Sequence, residues 1–419
     1  MKLHYLPLLL LTTVGLHVSA LSLQNAEQIA LQDDPGQKIY QAKQASLIAQ
    51  GKSSATLADP MIKFGLANMP TNNFSLDSDP MTQMTFGVSQ QFSRGNTLDI
   101  TKEGFTLQSE VAVYQGLNRR LLVKKTVRDL WFDILFIEKS VQLVTENRRL
   151  FNSFYQDLAS QFTLGLVENE DLISAEIELG LLDEKLDKLN QQSLTYRHLL
   201  SEWIGELAYQ SFQTSPPTWP DTLAYINRNK LLDTQHYEEL REHPKVKALA
   251  QSILVASSQI KLVQQDYKPS FKVELGYGKR LSEDDNGDLR SDLVSGFVTM
   301  DIPLFTEQRQ DQKVISAQQN KGQKQAEHRL LVRQLNAQLN AEIVRYQQLI
   351  ARQHRYRDSL LKQANEHAEV LEQSYQSNTR PFQDVIQAYI HKLNLSIEYQ
   401  KLYFDGWKSL SKIRYFQAL

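Results

Sequence analysis

Hydrophobic positions in this chain follow two different periods. Val123, Val127, Leu130, Ile134, Ile137, Val141 and Val144 are spaced alternately four and three residues apart, and after Arg148 interrupts, Phe151, Tyr155, Leu158 and Phe162 resume the rhythm. A stripe that narrow is a coiled-coil seam rather than the broad apolar face of a globular helix. Elsewhere the period is two. Ile62, Phe64 and Leu66 alternate with Lys63, Gly65 and Ala67; Met84, Phe86 and Val88 with Thr85, Gly87 and Ser89; and Phe271, Val273, Leu275 and Tyr277 with Lys272, Glu274, Gly276 and Gly278. Successive side chains of a strand point to opposite faces, so each segment predicts a strand with one apolar side. A fourth strand is expected over 293–305, reached through the polar, Gly-containing loop 282–288.

No proline falls between Pro80 and Pro216 or between Pro303 and Pro381, and these gaps are filled with Gln, Leu, Glu, Lys and Arg, all good helix formers. A helix of nearly 70 residues would be about 100 Å long at ~1.5 Å per residue. The helical pattern stops at Gly165 and Asn378, the two residue types that most readily take the left-handed conformation ending a helix. Pro381 suits the first turn of the helix that follows. Each half therefore turns back as a helical hairpin, with returning helices over 169–209 and 381–415.

The halves are duplicates. Pro35 and Pro60 recur as Pro244 and Pro269 at an offset of 209, and Phe92 recurs as Phe305 at 213. The distance from Phe92 to Phe162 is 70 residues, as is that from Phe305 to Tyr375, and both endpoints open similar segments, 162–173 and 375–386. Such a fixed period settles the organisation before anything else. We expect a targeting segment at 1–20 and a first repeat at 21–208, with a helix, a β-hairpin at 61–93 and a helical hairpin whose tip is near 163–171. A connector follows at 209–242. The second repeat, 243–419, has a helix, a β-hairpin at 270–305 and a tip near 376–384. In the connector, Ser215-Pro216-Pro217-Thr218-Trp219-Pro220 breaks the helix, 221–242 is expected to form short helices, and Trp219 reads as a packing anchor. The fold class is mainly α with a small β part.

Composition narrows the function. Lys plus Arg number 46 against 48 Asp plus Glu, a net charge of −2, which argues against a nucleic-acid partner. The absence of Cys excludes disulfides, thiolate metal sites, a cysteine nucleophile and the attachment point of a lipoprotein anchor. Lys2 and His4 precede the apolar run 6–18, and Ser19-Ala20 closes it, the order of a secretory signal. No other stretch is apolar for 18 residues, so a mature chain held in a membrane would be there as a closed β-barrel, the other structure that satisfies its backbone in lipid. Each strand is about ten residues, enough to cross a bilayer at a tilt, although a soluble hairpin half buried on a core has the same pattern. Four strands cannot close a barrel. Two chains would supply eight, with a lumen filled by side chains, and three would supply twelve around a water-filled passage.

With this duplicated order of strands and helices and its two hairpin motifs, the sequence resembles the outer-membrane efflux protein family, the TolC-like channel subunits, over essentially the whole mature chain. The resemblance implies a homotrimer embedded in outer-membrane lipid, with a twelve-stranded β-barrel and a trans-periplasmic α-barrel of long helical hairpins. It also implies a periplasmic adaptor and an inner-membrane pump of the resistance, nodulation and division type as partners, no cofactor and no enzymatic activity. In that family a Tyr and an Arg beyond one hairpin bond to an Asp on the other, and an acidic ring narrows the bore. The matching positions are Tyr375 and Arg380, Asp171 with its neighbour Glu170, and Asp384 for the ring. Gln387 stands where many relatives carry a second ring Asp, which implies a single constriction. The tips, Gly165, Leu166, Val167, Asn378 and Thr379, would meet the adaptor. By their chemistry alone, Glu168, Glu170, Asp171 and Asp384 equally complement the N-termini of the returning helices.

The stretch Asp59-Pro60-Met61 to Met69-Pro70, with Asp79-Pro80-Met81, is similar to branches of the family that serve heavy-metal pumps. Met61, Met69, Met81 and Met84 could offer soft thioethers to Cu(I) or Ag(I), and beside a barrel strand such residues commonly face lipid. The nine histidines form no ligand cluster, and phosphate-binding glycine loops and nucleophile elbows are missing. An exit duct for small solutes is the principal expectation; a duct for protein secretion and a soluble periplasmic coiled-coil scaffold are the alternatives.

Overall fold

The computed structural model describes residues 20–229 and 235–419, so the expected targeting segment, apart from Ala20, lies outside the described residues. In chain order the elements are α1 (Leu23–Gln32), α2 (Pro35–Ser54), β1 (Met61–Ala67), β2 (Gln83–Phe92), α3 (Thr97–Thr163), α4 (Asn169–Ile204), α5 (Pro220–Arg228) and α6 (Tyr237–Arg241). There follow α7 (Pro244–Gln264), β3 (Phe271–Lys279), β4 (Leu293–Met300), α8 (Gln310–Arg355), α9 (Leu361–Gln376) and α10 (Phe382–Phe416). The contacts divide the described chain into two units, one of 20–34, 122–229 and 342–414, the other of 35–121, 235–341 and 415–419. A repeat is a stretch of sequence and a unit is a set of neighbours in space, and each unit draws on both repeats.

The second of these units holds the sheet, an antiparallel meander in the order β1-β2-β3-β4. Its register makes the alternation of the sequence into two unlike faces. Phe64, Phe86, Tyr277 and Val294 stand abreast, and Ile62, Val88, Leu275 and Gly296 form the next row of the same face. The Phe64 and Phe86 rings meet at 5.2 Å. The other face carries Lys63, Gly87, Gly276 and Ser295 abreast, and there Glu274 takes Lys63 at 2.7 Å and Lys272 at 3.0 Å. The apolar face is uncovered, with Phe64 79% and Val294 80% exposed. Among the described residues the outer edges of β1 and β4 have no partner strand.

The fourth strand ends at Met300, five residues before the end that alternation suggested. Asp301 turns aside to accept the Ser270 backbone N–H at 2.6 Å and to pair with Arg94, which in turn donates to the Lys268 carbonyl at 3.0 Å. Pro303 then has no N–H to offer a ladder.

In the other unit α3 supplies the expected seam. Val123, Val127, Ile134, Ile137, Val144, Phe151 and Leu158 are buried. Arg148 does not interrupt the helix: it reaches across to α4, where its Nη2 lies 3.0 Å from Asp183 Oδ2. The core below joins Phe151 and Leu158 to Leu182 of α4, Ala368 of α9 and Phe382, Ile386 and Leu393 of α10. Trp219 is the anchor that its setting implied, with its ring 5.7 Å from Trp407 and the Arg128 and Arg414 guanidinium carbons at 5.1 and 5.2 Å. Arg128 is held by both oxygens of Glu27, at 2.7 and 3.0 Å, and the two short helices expected in the connector are α5 and α6.

The two long helical segments match in length and differ in one place. α3 is unbroken over 67 residues. Its counterpart, Gln310–Gln376, contains a π turn at Tyr356–Leu360. Three residues before the π turn, the Gln353 amide donates to the Leu402 carbonyl at 2.7 Å. A Cβ on the nearby Gly406 would lie 3.0 Å from that amide.

Candidate functional site: the two hairpin tips

Both tips lie in the unit without the sheet, and their backbones are copies at an offset of 213. At the first, the Leu166 N–H bonds to the Gln161 carbonyl at 3.0 Å and the Gly165 N–H to the Phe162 carbonyl at 2.9 Å. At the second, Thr379 bonds to Ser374 and Asn378 to Tyr375, both at 2.9 Å. This double bond around a left-handed residue is the Schellman ending of a helix. Gly165 and Asn378 take the left-handed conformation, with φ of 71° and 55°. The returning helices begin four residues later in both, at Asn169 and Phe382.

Side chains at matching positions differ. Val167 is half-buried against the helical core, whereas its counterpart Arg380 is 62% exposed and lies 3.5 Å from Asp384 on its own helix. Leu164 and Leu166 are largely uncovered, and Thr379 is exposed, its hydroxyl donating to the Ser374 carbonyl at 2.9 Å. Gln387 is exposed one turn beyond Asp384. Asp171 and Glu170 occupy the first turn of α4. Burial, then the nearby Glu170 and Glu168, push the Asp171 carboxyl above the ordinary carboxylate range.

Tyr375 is packed against Phe382, ring to ring at 5.2 Å, and its hydroxyl is buried with no hydrogen-bond partner among the described residues. Burial, then the charges of Asp171 and Asp157, raise its pKa. The chain thus brings Tyr375 within the field of Asp171, while Arg380 pairs with Asp384 on the same hairpin. Among the described residues no hydrogen bond or ion pair joins Tyr375 or Arg380 to Asp171. An orphaned buried hydroxyl costs about 1–3 kcal/mol unless something meets it.

Two contributors escaped the sequence reading. Asp157, five residues before Phe162, adds a second nearby charge to Tyr375. Tyr389 donates to Glu372 Oε2 at 2.5 Å, clasping α9 to α10, and burial, then that bond, raise its pKa. Counting outward from the turn would have found this clasp, since the two residues lie on either side of Asn378–Pro381.

Among the described residues no helix is long and apolar enough to cross a membrane, and no group of three His, Asp or Glu is placed to hold a metal. Of the four methionines, Met84 pairs across from Leu66 and Met61 from Ser89. The strand alternation puts Met61 and Met84 on opposite faces of the sheet.

Residues 236–390 match the model of the outer membrane efflux protein family. Solved structures extend the likeness in fold to 94% of the chain. VceC of Vibrio cholerae, an outer membrane protein, is 14% identical, with a TM-score of 0.77 over 94% of this chain and 96% of that one. CusC is 13% identical, with a TM-score of 0.76 over 94% and 91%. The open-state MtrE outer membrane channel of Neisseria gonorrhoeae is 12% identical, with a TM-score of 0.74 over 94% and 88%. No curated protein sequence matches the chain significantly. The fold is that of TolC-like channels, a mostly helical chain with a small four-stranded sheet, and the resemblance read from the sequence stands on both comparisons. The family matched is one of efflux proteins and the structures matched are of outer-membrane proteins and channels, none of them an enzyme.

Proposed function

We propose that this chain is one of three identical subunits of an outer-membrane exit duct, passing solutes delivered by an inner-membrane pump of the resistance, nodulation and division type through a periplasmic adaptor. The observation that carries the reading is the sheet. It leaves a continuous apolar face uncovered and two edges unpaired, and in lipid each unpaired backbone group would cost several kcal/mol. Three copies joined β4 to β1 would close twelve strands, with the apolar rows toward lipid and the Lys63, Glu274 and Lys272 face toward water. A soluble scaffold would have no use for such a face.

In this reading the long helices are the staves of a periplasmic tube, and the tips are its inner end. Tyr375, Arg380, Asp171 and Glu170 would fasten neighbouring hairpins, Asp384 would line the constriction with Gln387 behind it, and Gly165, Leu166, Val167, Asn378 and Thr379 would meet the adaptor. The buried, unpartnered Tyr375 hydroxyl supports this, because a group left open in one chain can be met by another. Arg380 offers a planar fork suited to a carboxylate. The test is to extract the full chain from outer membranes, weigh the detergent complex by native mass spectrometry and insert it into planar bilayers. A three-chain complex with unitary conductance is expected. A monodisperse monomer that stays in solution without detergent would overturn the proposal.

A further inference from the structure

In the sheet-bearing unit, α2, α3, α7 and α8 pack in that order. Lys43 of α2 bonds to Gln115 of α3 at 3.4 Å, Glu103 of α3 takes Lys261 of α7 at 3.1 Å, and Asp266 just beyond α7 takes Lys313 of α8 at 2.5 Å. One cavity of about 430 Å³ is lined by all four helices, including the two outer ones, through Lys43, Gln108, Gln259 and Lys324. A space touched by both ends of a row of helices lies on its concave side.

Two more cavities adjoin it. One, of about 500 Å³, shares Lys43 and adds Lys245, and the other, of about 860 Å³, shares Gln259 and adds Arg309 and Lys313. Five cations line the three spaces and not one carboxylate does. Lys313 is paired with Asp266 and Lys324 with Glu327, at 2.9 Å, from outside the lining. Lys245 and Arg309 have no ionic partner among the described residues. The floor of the first cavity is apolar, made by Leu47, Val111, Val255 and Ala256.

The geometry points to a binding site for an amphipathic organic anion, a compact apolar body carrying a sulfonate or carboxylate, seated on the aliphatic floor with its charge between Lys43 and Lys324. Gln108, Gln259 and Asn320 supply amide donors around the charge. The inference deepens the proposed duct, since on that reading the concave side of the four helices is the bore. It gives the wall a preference opposite to that of the first tip, where Glu168 and Glu170 lie near Asp171.

Isothermal titration of the full chain in lipid nanodiscs with naphthalene-2-sulfonate tests this, with neutral naphthalene-2-sulfonamide as the comparison. The sulfonate should bind and weaken as salt is added, and the sulfonamide should bind about ten-fold more weakly or not at all. The double variant Lys43→Gln, Lys324→Gln should lose about ten-fold in affinity for the sulfonate, while Lys43→Arg, Lys324→Arg keeps it. Equal affinity for the two probes, no binding of the sulfonate, or a glutamine variant that binds like the parent chain would overturn the inference. Because the titration requires no conduction, its failure leaves the duct standing, and a duct that fails to conduct leaves the binding result readable.

Discussion

Val167 and Arg380 occupy the same place in the two hairpin tips, 213 residues apart, yet one side chain turns into the helical core and the other stands in solvent beside Asp384. Phe162 and Tyr375 are matched in the same way, and only Tyr375 carries a hydroxyl, which is buried and unmet. The turns beneath them share the two backbone hydrogen bonds that close the helix around Gly165 and Asn378. The two turns keep the same main-chain ending while their side chains differ, so one tip is apolar and acidic and the other carries the arginine. Two unlike surfaces of this kind can recognise each other around a ring, which two identical ones could not do with opposite charge.

The sharpest way to break this contrast is to remove the second tip's polar groups. Arg380→Ser with Tyr375→Phe should raise single-channel conductance in planar bilayers several-fold, because it removes the groups proposed to fasten neighbouring hairpins. The matched pair Val167→Ser with Phe162→Leu should leave it unchanged, and equal effects at the two tips would remove the gate assignment. Tyr375→Phe alone should leave the melting temperature of a dissociated subunit unaltered or raised, because it deletes an unsatisfied hydroxyl.

The turns themselves come next. Gly165→Ala puts a Cβ into the left-handed region, a cost of about 1–2 kcal/mol, and Asn378→Ala, whose Cβ is already there, gives up the short polar side chain that tolerates it. Asn378→Gly should relax the second tip. Hydrogen exchange at Leu166 and Thr379, whose amides close the two turns, reads both changes directly.

A smaller effect is expected from Tyr389→Phe, which unclasps α9 from α10 and should destabilise the second hairpin by about 1 kcal/mol, again by local exchange rates. The first hairpin is tied instead by the Arg148–Asp183 pair between α3 and α4.

The smallest is a pH effect at Asp171. Its carboxyl titrates above the unfolded range, so the folded tip binds a proton more readily than the unfolded chain. Its stability is therefore greatest below the ordinary carboxylate pKa and declines as pH rises through the raised one. Protection factors in the first turn of α4, which remove the intrinsic pH dependence of amide exchange, should rise on mild acidification, and Asp171→Asn should abolish that rise.

The tips were legible in the sequence because a left-handed residue admits few side chains, so Gly165 and Asn378 stood out against long runs of helix formers. Strand alternation located three strands for a similar reason, the period of two being fixed by the pleat, and the polar loop 282–288 pointed to the fourth. Their ends were less legible: β4 stops at Met300 because Asp301 is captured by Ser270 and Arg94, contacts that reach across the fold. Nor did the π turn at Tyr356–Leu360 leave a signal, since no glycine or proline marks it and the local sequence is ordinary helix. Arg148 looked like a break in the seam and is a crossbar to Asp183. The partner of Arg380 within the chain was missed because the family pattern directed attention to the other hairpin, and a carboxylate one turn away is the nearer choice.

If the chain is the subunit of the proposed duct, the bare edges of β1 and β4 also constrain the order of events during its biogenesis. A solitary sheet with both margins open has no comfortable resting state in hydrocarbon, so copies must find one another before or during entry rather than afterwards. Maturation would then depend steeply on how many chains are waiting in the periplasm, and an underproduced or slowly delivered subunit would be lost to degradation rather than stored as a half-built pore.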